Sequence, residues 1–543
     1  MSAYFHSYLC GRKAAEWLID MNKKLRTIWS IVTALSVLFL SGCATNPEKN
    51  IVTSKNDGSF DIGILQSAAT SESTADAALA QEMETMEKTK VSLFQWQSQF
   101  FSTDGTVEFK TNINEEISNG AMPVVEVAPH FWTEENTRHI AEVLFGDQVF
   151  CEAPPKLGAV KDIFSKEELR AAIQRWSVYS NEEALLALFP SMAERRDRIE
   201  LYQNRIKNEI VNCSTLLEEI PAASQYGETK WEFQPDWKYM YPEESVSKKM
   251  QANANEQLSV TTTVDDVPYQ LIFTRYNGKE YKLNTLFVYP DTVYSPMGID
   301  RDIFRAQLCR TDEPTEEQMA SVKEKAVNML NRMEIGNWVV DECYLENTNS
   351  EGIPEYVIHV SAVPSFEGVA AMYRTQLDNL SENYAPSYYL TEAIMQFSAN
   401  GDLIYLQLSS PLDIVNVVSE NVAVMNLEEL TERAKNHLIL SDYQAYGLSG
   451  QLLESYEEGA AESLVCKIEL NRLDYGLIRV KVAGSDDNYY YIPGIILLGS
   501  IDYCGKDSGT VYASSGDSFG EDHIAPIVAL NAIDGSIIDL NKG

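Results

Sequence analysis

The sequence predicts an α+β protein in which antiparallel sheets are each covered by helices, and three observations support this fold class. Segments with polar caps carry apolar residues at helical spacing, as between Thr315 and Met333. Alternating runs flank tight-turn pairs such as Asn400-Gly401, which is typical of β-hairpins. A helix followed by hairpins occurs twice in the C-terminal third, so we predict a duplicated helix-plus-hairpin unit there.

The N-terminal segment has the organisation of a secretion signal. Cationic residues 21–26 precede apolar residues 27–40, and Ser41 and Gly42 then lead to Cys43. The apolar run is too short for a durable membrane span. This order resembles a bacterial lipoprotein signal peptide. The resemblance implies cleavage between Gly42 and Cys43 and a diacylglyceryl anchor with palmitate-type chains on Cys43. We therefore expect an extracytoplasmic lipoprotein at the cell surface, on the outer face of the cell membrane.

The rest of the chain is too long for one hydrophobic core, so several parts are expected. Residues 1–20 lack the cationic-then-apolar order, and we expect translation to begin at Met21. The predicted parts are a leader (1–42, with the signal peptide at 21–42), a flexible tether (43–88), an N-terminal α+β domain (89–250), a β-rich segment (251–310) and a C-terminal α+β domain (311–543).

The chain is strongly acidic, with 80 Asp and Glu against 43 Lys and Arg and a formal net charge of −37. That field repels polyanions, so we expect no nucleic-acid partner. The cysteines are sparse, and the sequence has no Cys-x-x-Cys pair, no His-Glu-x-x-His and no glycine-rich nucleotide loop. We therefore expect no metal, no cofactor and no catalytic residues, and we interpret most cysteines as buried free thiols.

Local signals place the elements of the N-terminal half. Asp104-Gly105 between two alternating runs predicts a hairpin. Helices are predicted at 133–145, after a capping box at Ser165, and after Pro190, where apolar residues share one face. Strands are predicted at 258–264, 269–276 and 281–288, the last two joined at Asn277-Gly278.

Between these helices and strands, five aromatic residues recur at nearly alternate positions. They are Trp231, Phe233, Trp237, Tyr239 and Tyr241. An extended segment would put all five on one side. Such a row more often packs onto its own domain, and the alternative is a candidate ligand surface on which a sugar could stack.

The C-terminal third has the most regular pattern. Helices are predicted from Thr315, whose capping box includes Gln318, and from Asn426 to about residue 438. Strands are predicted at 338–346, 356–363, 393–398, 403–408, 464–470, 476–482, 489–498 and around Asp534-Gly535.

Two stretches of this third carry a family resemblance. Residues 394–405, then Ser410-Pro411-Leu412 and the Asn426 helix, resemble extracytoplasmic regulators of the YycH/YycI type. Residues 528–538 are similar to the closing hairpin of those proteins and of PepSY-like domains. The whole chain also resembles an uncharacterised group of Gram-positive lipoproteins. The resemblance covers residues 310–543 and implies non-enzymatic binding near a membrane sensor kinase. The chain departs from those regulators by its lipid anchor and its long N-terminal region.

One further motif suggests a different class of function. Gly516-Asp517-Ser518-Phe519-Gly520 matches the nucleophile elbow of hydrolases, with His523 three residues later. Its flanks predict a loop instead of the strand and helix that an elbow needs. We therefore expect a membrane-anchored binding or regulatory protein with a protein or peptide partner. The alternatives are a solute- or glycan-binding lipoprotein and a surface hydrolase using Ser518.

Overall fold

Two ten-stranded sheets and seven helices form the part of the chain that the computed structural model describes. The described residues are 59–60, 90–119, 122–153, 165–189, 193, 196–222, 227–240, 246–248, 251, 254–264, 267–275, 284–290, 303, 308–309, 313–348, 355–372, 391–441, 463–482, 488–514 and 525–538. The predicted α+β class with antiparallel sheets is confirmed.

The elements are numbered in chain order. The helices are α1 (Glu134–Phe145), α2 (Lys166–Tyr179), α3 (Glu182–Leu188), α4 (Arg196–Leu216), α5 (Trp237–Met240), α6 (Glu316–Arg332) and α7 (Leu427–Leu440). The strands are β1 (Ser59–Phe60), β2 (Lys90–Phe101), β3 (Val107–Asn119), β4 (Val124–Pro129), β5 (Cys151–Glu152), β6 (Gln234–Pro235), β7 (Glu256–Val264), β8 (Val267–Arg275), β9 (Asn284–Pro290), β10 (Trp338–Thr348), β11 (Glu355–Phe366), β12 (Val369–Ala370), β13 (Glu392–Phe397), β14 (Leu403–Ser409), β15 (Leu412–Ser419), β16 (Leu464–Val482), β17 (Tyr489–Gly505), β18 (Val511–Ser514), β19 (Ala525–Asn531) and β20 (Ile537–Ile538).

The first sheet has the strand order β15-β4-β17-β16-β3-β2. Its centre is the long antiparallel pair β16–β17, which runs from Leu464 opposite Gly505 to Lys481 opposite Tyr489. β3 pairs in parallel with β16, whereas β2 and β3 form the hairpin predicted at Asp104-Gly105. Helix α7 covers one face, where Leu430, Ala434 and Leu438 share a core with strand residues such as Phe109.

The second sheet has the order β10-β11-β13-β14-β9-β8-β7-β5, and all neighbouring pairs in that order are antiparallel. Helices α1 and α6 cover one face and contribute Ile140, Val322 and Leu330 to its core. Both helices begin at a threonine capping box, at Thr133 and Thr315, which satisfies backbone N–H groups that the first turn leaves free.

Helices α2, α3 and α4 form a separate helical core. Leu169, Trp176, Leu185 and Ile206 are buried there, joined by Ile303 from outside the three helices. The predicted long helix after Pro190 is thus confirmed as α4, with Ile199 and Ile206 on its buried face.

The duplicated helix-plus-hairpin unit is present in the C-terminal third. After α6 the strands neighbour one another as β10-β11-β13-β14, and after α7 as β16-β17-β19-β20. Each helix also donates a hydrogen bond to the turn of its second hairpin. Lys325 Nζ donates to the carbonyl of Gly401, and Arg433 Nη1 donates to the carbonyl of Asp534 at 2.8 Å.

The strand pairing crosses the boundaries that composition suggested for the parts of the chain. β3, inside 89–250, lies beside β16, inside 311–543, and β9, inside 251–310, lies beside β14. The strands predicted at 464–470 and 476–482 are one continuous strand. Gly476 does not interrupt it; a Cβ there would lie 2.9 Å from the carbonyl oxygen of Ala370, so glycine permits the close approach of β12. Among the described helices, none is both long and apolar enough to cross a membrane.

Candidate functional site

The two sheets meet at a seam where the chain passes twice from one sheet to the other. β4 of the first sheet leads into α1 on the second, and β14 of the second sheet leads into β15 of the first. The second crossing turns at Ser410, which has a left-handed backbone (φ +45°). Its N–H donates to the carbonyl of Asn284 at 2.8 Å, and the Thr391 hydroxyl donates to its carbonyl at 2.6 Å. These bonds hold an otherwise unfavourable conformation in place.

His130 connects both crossings through its imidazole ring. Nδ1 lies 2.7 Å from Asp413 Oδ1, and Nε2 lies 2.8 Å from Asn136 Nδ2. The Asn136 amide donates, so Nε2 accepts and the proton on Nδ1 is donated to the carboxylate. Asn136 also closes the capping box of α1 with Thr133. The network therefore fixes the start of β15 relative to the start of α1.

A pocket of about 220 Å³ opens at this seam. Its walls are mainly apolar, and three polar side chains accompany them. The apolar lining residues are Ile335, Trp338, Pro364, Phe366, Leu412 and Ile414, and the polar ones are Asn337, Thr391 and Asp413. Pockets that enclose whole small ligands span roughly 300–1,000 Å³. The seam pocket, as we call it, is therefore of a size to hold one apolar side chain.

Two buried polar atoms beside the pocket have no hydrogen-bond partner among the described residues. They are Trp338 Nε1 and Ser410 Oγ. Trp338 lines the pocket and is only 2% exposed, while its backbone N–H donates to Asn331 Oδ1 at 2.9 Å. An unsatisfied buried donor costs about 1–3 kcal/mol, so each such atom in a native fold calls for an explanation.

β15 forms one edge of the first sheet in the described part of the chain, where its strand pairing is with β4 alone. Its ends are anchored by Leu412, which is buried, and by Val418, which packs against a neighbouring core. Between them Ile414, Val415 and Val417 are 50%, 53% and 41% exposed. Exposed aliphatic residues on a sheet edge are a feature that folded proteins usually avoid.

The ionisable side chains on β4 and β15 are acidic, whereas the buried Arg479 guanidinium donates to Thr391 Oγ1 in the pocket wall at 3.4 Å. Neither β4 nor β15 contains lysine or arginine, and the one ionisable residue among those lining the pocket is Asp413. The Asp413 side chain is 57% exposed despite its bond to His130. Together with the net charge of −37, this makes the edge and the pocket mouth attractive to cations.

The predicted aromatic row has a different arrangement from a single extended surface. Trp231 and Tyr239 are buried, Phe233 and Trp237 are half-buried, and Tyr241 lies outside the described residues. The alternation fails because Trp231 has a left-handed backbone (φ +56°) and α5 begins at Trp237.

Contacts to the rest of the fold account for most of the row. Trp231 packs edge to face on Phe150, and the Arg275 guanidinium lies 3.6 Å above the Phe233 ring. Burial raises the pKa of Tyr239 to about 12. These contacts are those of side chains packing onto their own fold.

Several predicted site residues fall outside the described residues: Gly42, Cys43, Ser518 and His523. In the described part, no group of three or more His, Cys, Asp or Glu could hold a metal ion. Of the six cysteines of this part, four are buried. Burial raises the pKa of the Cys466 thiol to about 12, which makes it a poor nucleophile.

The sequence patterns did not predict the seam, although one signal for it exists. Residues 412–419 form a short run rich in Ile and Val directly after Pro411, which favours a strand. The pocket itself has no such signal, because four separate segments build it.

No protein-family model matches the chain, and no curated protein matches it in sequence. Among solved structures, an uncharacterized protein from Eubacterium rectale ATCC 33656 aligns with a TM-score of 0.32 and 9% identity, over 82% of this chain and 93% of that one. The C-terminal domain of Bacillus megaterium YpeB aligns with a TM-score of 0.22 and 12% identity, over 52% of this chain and 87% of that one. The chain thus has a distant structural likeness to these two proteins.

Proposed function

We propose that this protein is a lipid-anchored extracytoplasmic binding protein, without enzymatic activity, that regulates a protein partner, such as a membrane sensor, by binding it. The observation that carries the proposal is the exposed aliphatic edge strand β15 beside the seam pocket. An apolar sheet edge in contact with water is a template for another chain, so it marks an interaction site or an aggregation hazard.

A protein or peptide partner fits this site better than a free solute or a glycan does. The seam pocket, at about 220 Å³, is smaller than pockets that enclose a whole small ligand. Sugar binding at the aromatic row would need exposed aromatic faces, whereas Trp231 and Tyr239 are buried. The resemblance of residues 310–543 to extracytoplasmic regulators favours the same class of function.

The anchoring part of the proposal depends on residues 21–43. Metabolic labelling with a fatty acid tests it directly. The wild-type chain should be labelled and fractionate with membranes, and Cys43→Ala should be unlabelled. Labelling of the Cys43→Ala chain, or a wild-type chain that is unlabelled and fractionates with cytosol, would contradict the anchor.

The binding part is tested by crosslinking in the native membrane, followed by mass spectrometry. We expect a protein partner that is crosslinked by the wild-type chain and lost when Ile414 is replaced by aspartate. Recovery of no protein partner with the wild-type chain would overturn the proposal.

A further inference from the structure

We propose that the partner adds an extended, cationic segment to the free side of β15 and places one apolar side chain in the seam pocket. This inference rests on the proposed function and specifies how the partner is recognised. The segment that binds β15 is a strand-forming peptide with lysine or arginine beside apolar residues.

The backbone of β15 supports strand addition at its first residues. Leu412, Asp413 and Ile414 pair regularly with Pro129, Ala128 and Val127, and the register shifts only after Ile414. Backbone groups of an edge strand that point away from its neighbour bind an added strand by main-chain hydrogen bonds. Leu412 is buried, so the exposed residues Asp413 and Ile414 are the part of this regular stretch best suited to pairing with a partner.

Leu412, Asp413 and Ile414 also line the seam pocket. A strand added beside them would pass the pocket mouth, and alternate side chains of that strand would face the same side. One of them could enter a space whose walls include Trp338 and Phe366. Main-chain bonds would then supply affinity, and the pocket would select the side chain.

Charge complementarity decides between a cationic partner and a second copy of this chain. Asp413 is the acidic group on the pairing stretch, and no lysine or arginine lies on β4 or β15. Two copies would each bring a net charge of −37 to the contact and repel one another. A lysine or arginine on the added segment instead gains from Asp413.

The opposite edge of the first sheet, β2, provides a matched comparison. Its central outward side chains are polar and bonded to β3: Gln95 Nε2 donates to Asn114 Oδ1 at 2.8 Å, and Gln97 Nε2 donates to Asn112 Oδ1 at 3.3 Å. Towards its ends, Leu93 and Phe101 are 60% and 54% exposed. In residues 94–97, half-buried aromatic and exposed polar residues alternate, as on an ordinary solvated sheet face. β15 lacks that alternation, because residues 413–417 are all exposed. The two edge strands therefore differ in chemistry.

Site-specific photo-crosslinking in the native membrane tests the location. A photo-reactive amino acid replaces Asn416 on β15 or Gln97 on β2, both exposed polar positions. We expect a protein adduct from position 416 and none from position 97. Adducts from position 97 or from other surfaces, with none from 416, would overturn strand addition and leave the proposed function standing. No adduct from any position would overturn both.

Peptide binding to the purified full chain tests the chemistry. The probe is a labelled peptide of alternating lysine and valine, and its binding is measured by fluorescence anisotropy. One comparison peptide carries proline for the central valine and keeps the charge, and another carries glutamate for every lysine. We expect the proline and glutamate peptides to bind at least about tenfold more weakly, a difference of about 1.4 kcal/mol. Equal binding of the lysine and proline peptides would mean attraction by charge alone and would overturn the proposal.

Two variants separate recognition from folding. Ile414→Asp should weaken binding of the lysine peptide about tenfold or more, whereas Ile414→Thr keeps a β-branched side chain and should retain most of it. Thermal unfolding of both variants shows whether they are folded. If both fold and bind as the wild type does, the edge strand is not the binding site.

Discussion

His130 Nδ1 and Asp413 Oδ1 lie 2.7 Å apart and join the segment before α1 to the first residues of β15. This bond crosses the seam between the sheets, because the chain that follows His130 packs on the second sheet and Asp413 belongs to the first. The pairing stretch of the edge strand is thus positioned by a side-chain bond as well as by its pairing to β4.

We predict that His130 and Asp413 are energetically coupled. His130→Ala should destabilise the fold by about 1–3 kcal/mol, since it removes bonds to both Asp413 and Asn136 in a largely buried position. Asp413→Ala should cost about 1 kcal/mol or less, because water reaches its carboxylate. Denaturant unfolding of the two single variants and the double variant measures the coupling. Strictly additive losses would mean that the bond contributes nothing.

Two buried tryptophans provide a matched pair for the second prediction. Trp132 Nε1 donates to the carbonyl of Thr285 at 3.1 Å, whereas Trp338 Nε1 has no partner among the described residues. The change to phenylalanine removes the same volume at both sites. Trp132→Phe should therefore destabilise by about 1–2 kcal/mol more than Trp338→Phe, because it also removes a buried hydrogen bond. Equal losses in chemical unfolding would show that the Trp132 hydrogen bond has no net effect.

The third prediction concerns close backbone contact in the long β16–β17 pair. A Cβ at Gly499 would lie 2.2 Å from the carbonyl oxygen of Glu469, so Gly499→Ala must push the strands apart. We expect a loss of about 2 kcal/mol or more, or failure to fold. Gly227→Ala is the control, because nothing lies within 4 Å of a Cβ there and its backbone is not left-handed. A Gly499→Ala chain as stable as the Gly227→Ala chain would contradict the pairing.

The fourth prediction is a pH dependence through His437. Burial lowers the pKa of His437 below its ordinary value of 6.5, and this outweighs any gain from the C-terminal end of α7. The unfolded chain therefore takes up the proton first. The stability that the neutral, buried His437 imidazole contributes is present above about pH 6.5. It is lost as the pH falls through the lower pKa of the folded state.

Unfolding free energies at several pH values check this sign. His437→Gln should lose less stability than the wild type when the pH falls from about 7.5 to 5. The difference between the two chains is the measurement, because other groups titrate equally in both. A wild type that gains stability relative to the variant on acidification would contradict the burial of the neutral imidazole.

Helices and hairpins were largely predictable from local sequence. Thr315 and Asn426 cap helices as their side-chain chemistry predicts, and the turn at Gly401 has the left-handed backbone expected after Asn400. These features depend on a few neighbouring residues. By contrast, Val107 pairs with Cys466, which lies hundreds of residues later in the chain, and no local pattern encodes such a partner.

The candidate site escaped prediction for a related reason. Strand pairing within the second sheet brings Trp338, Phe366 and Thr391 together, and the crossing into the first sheet adds Leu412. The single extended side that alternation suggested for the aromatic row does not form. A helical turn at Trp237 and the left-handed Trp231 direct those side chains differently.

The parallel pairing of β3 with β16 also determines when the first sheet can form during synthesis. During synthesis the hairpin of β2 and β3 emerges hundreds of residues before β16. Until β16 is made, the edge of β3 that pairs with it has no partner strand. Chains truncated before residue 464 should therefore leave this hairpin exposed to chaperones and proteases, instead of yielding a smaller stable fragment.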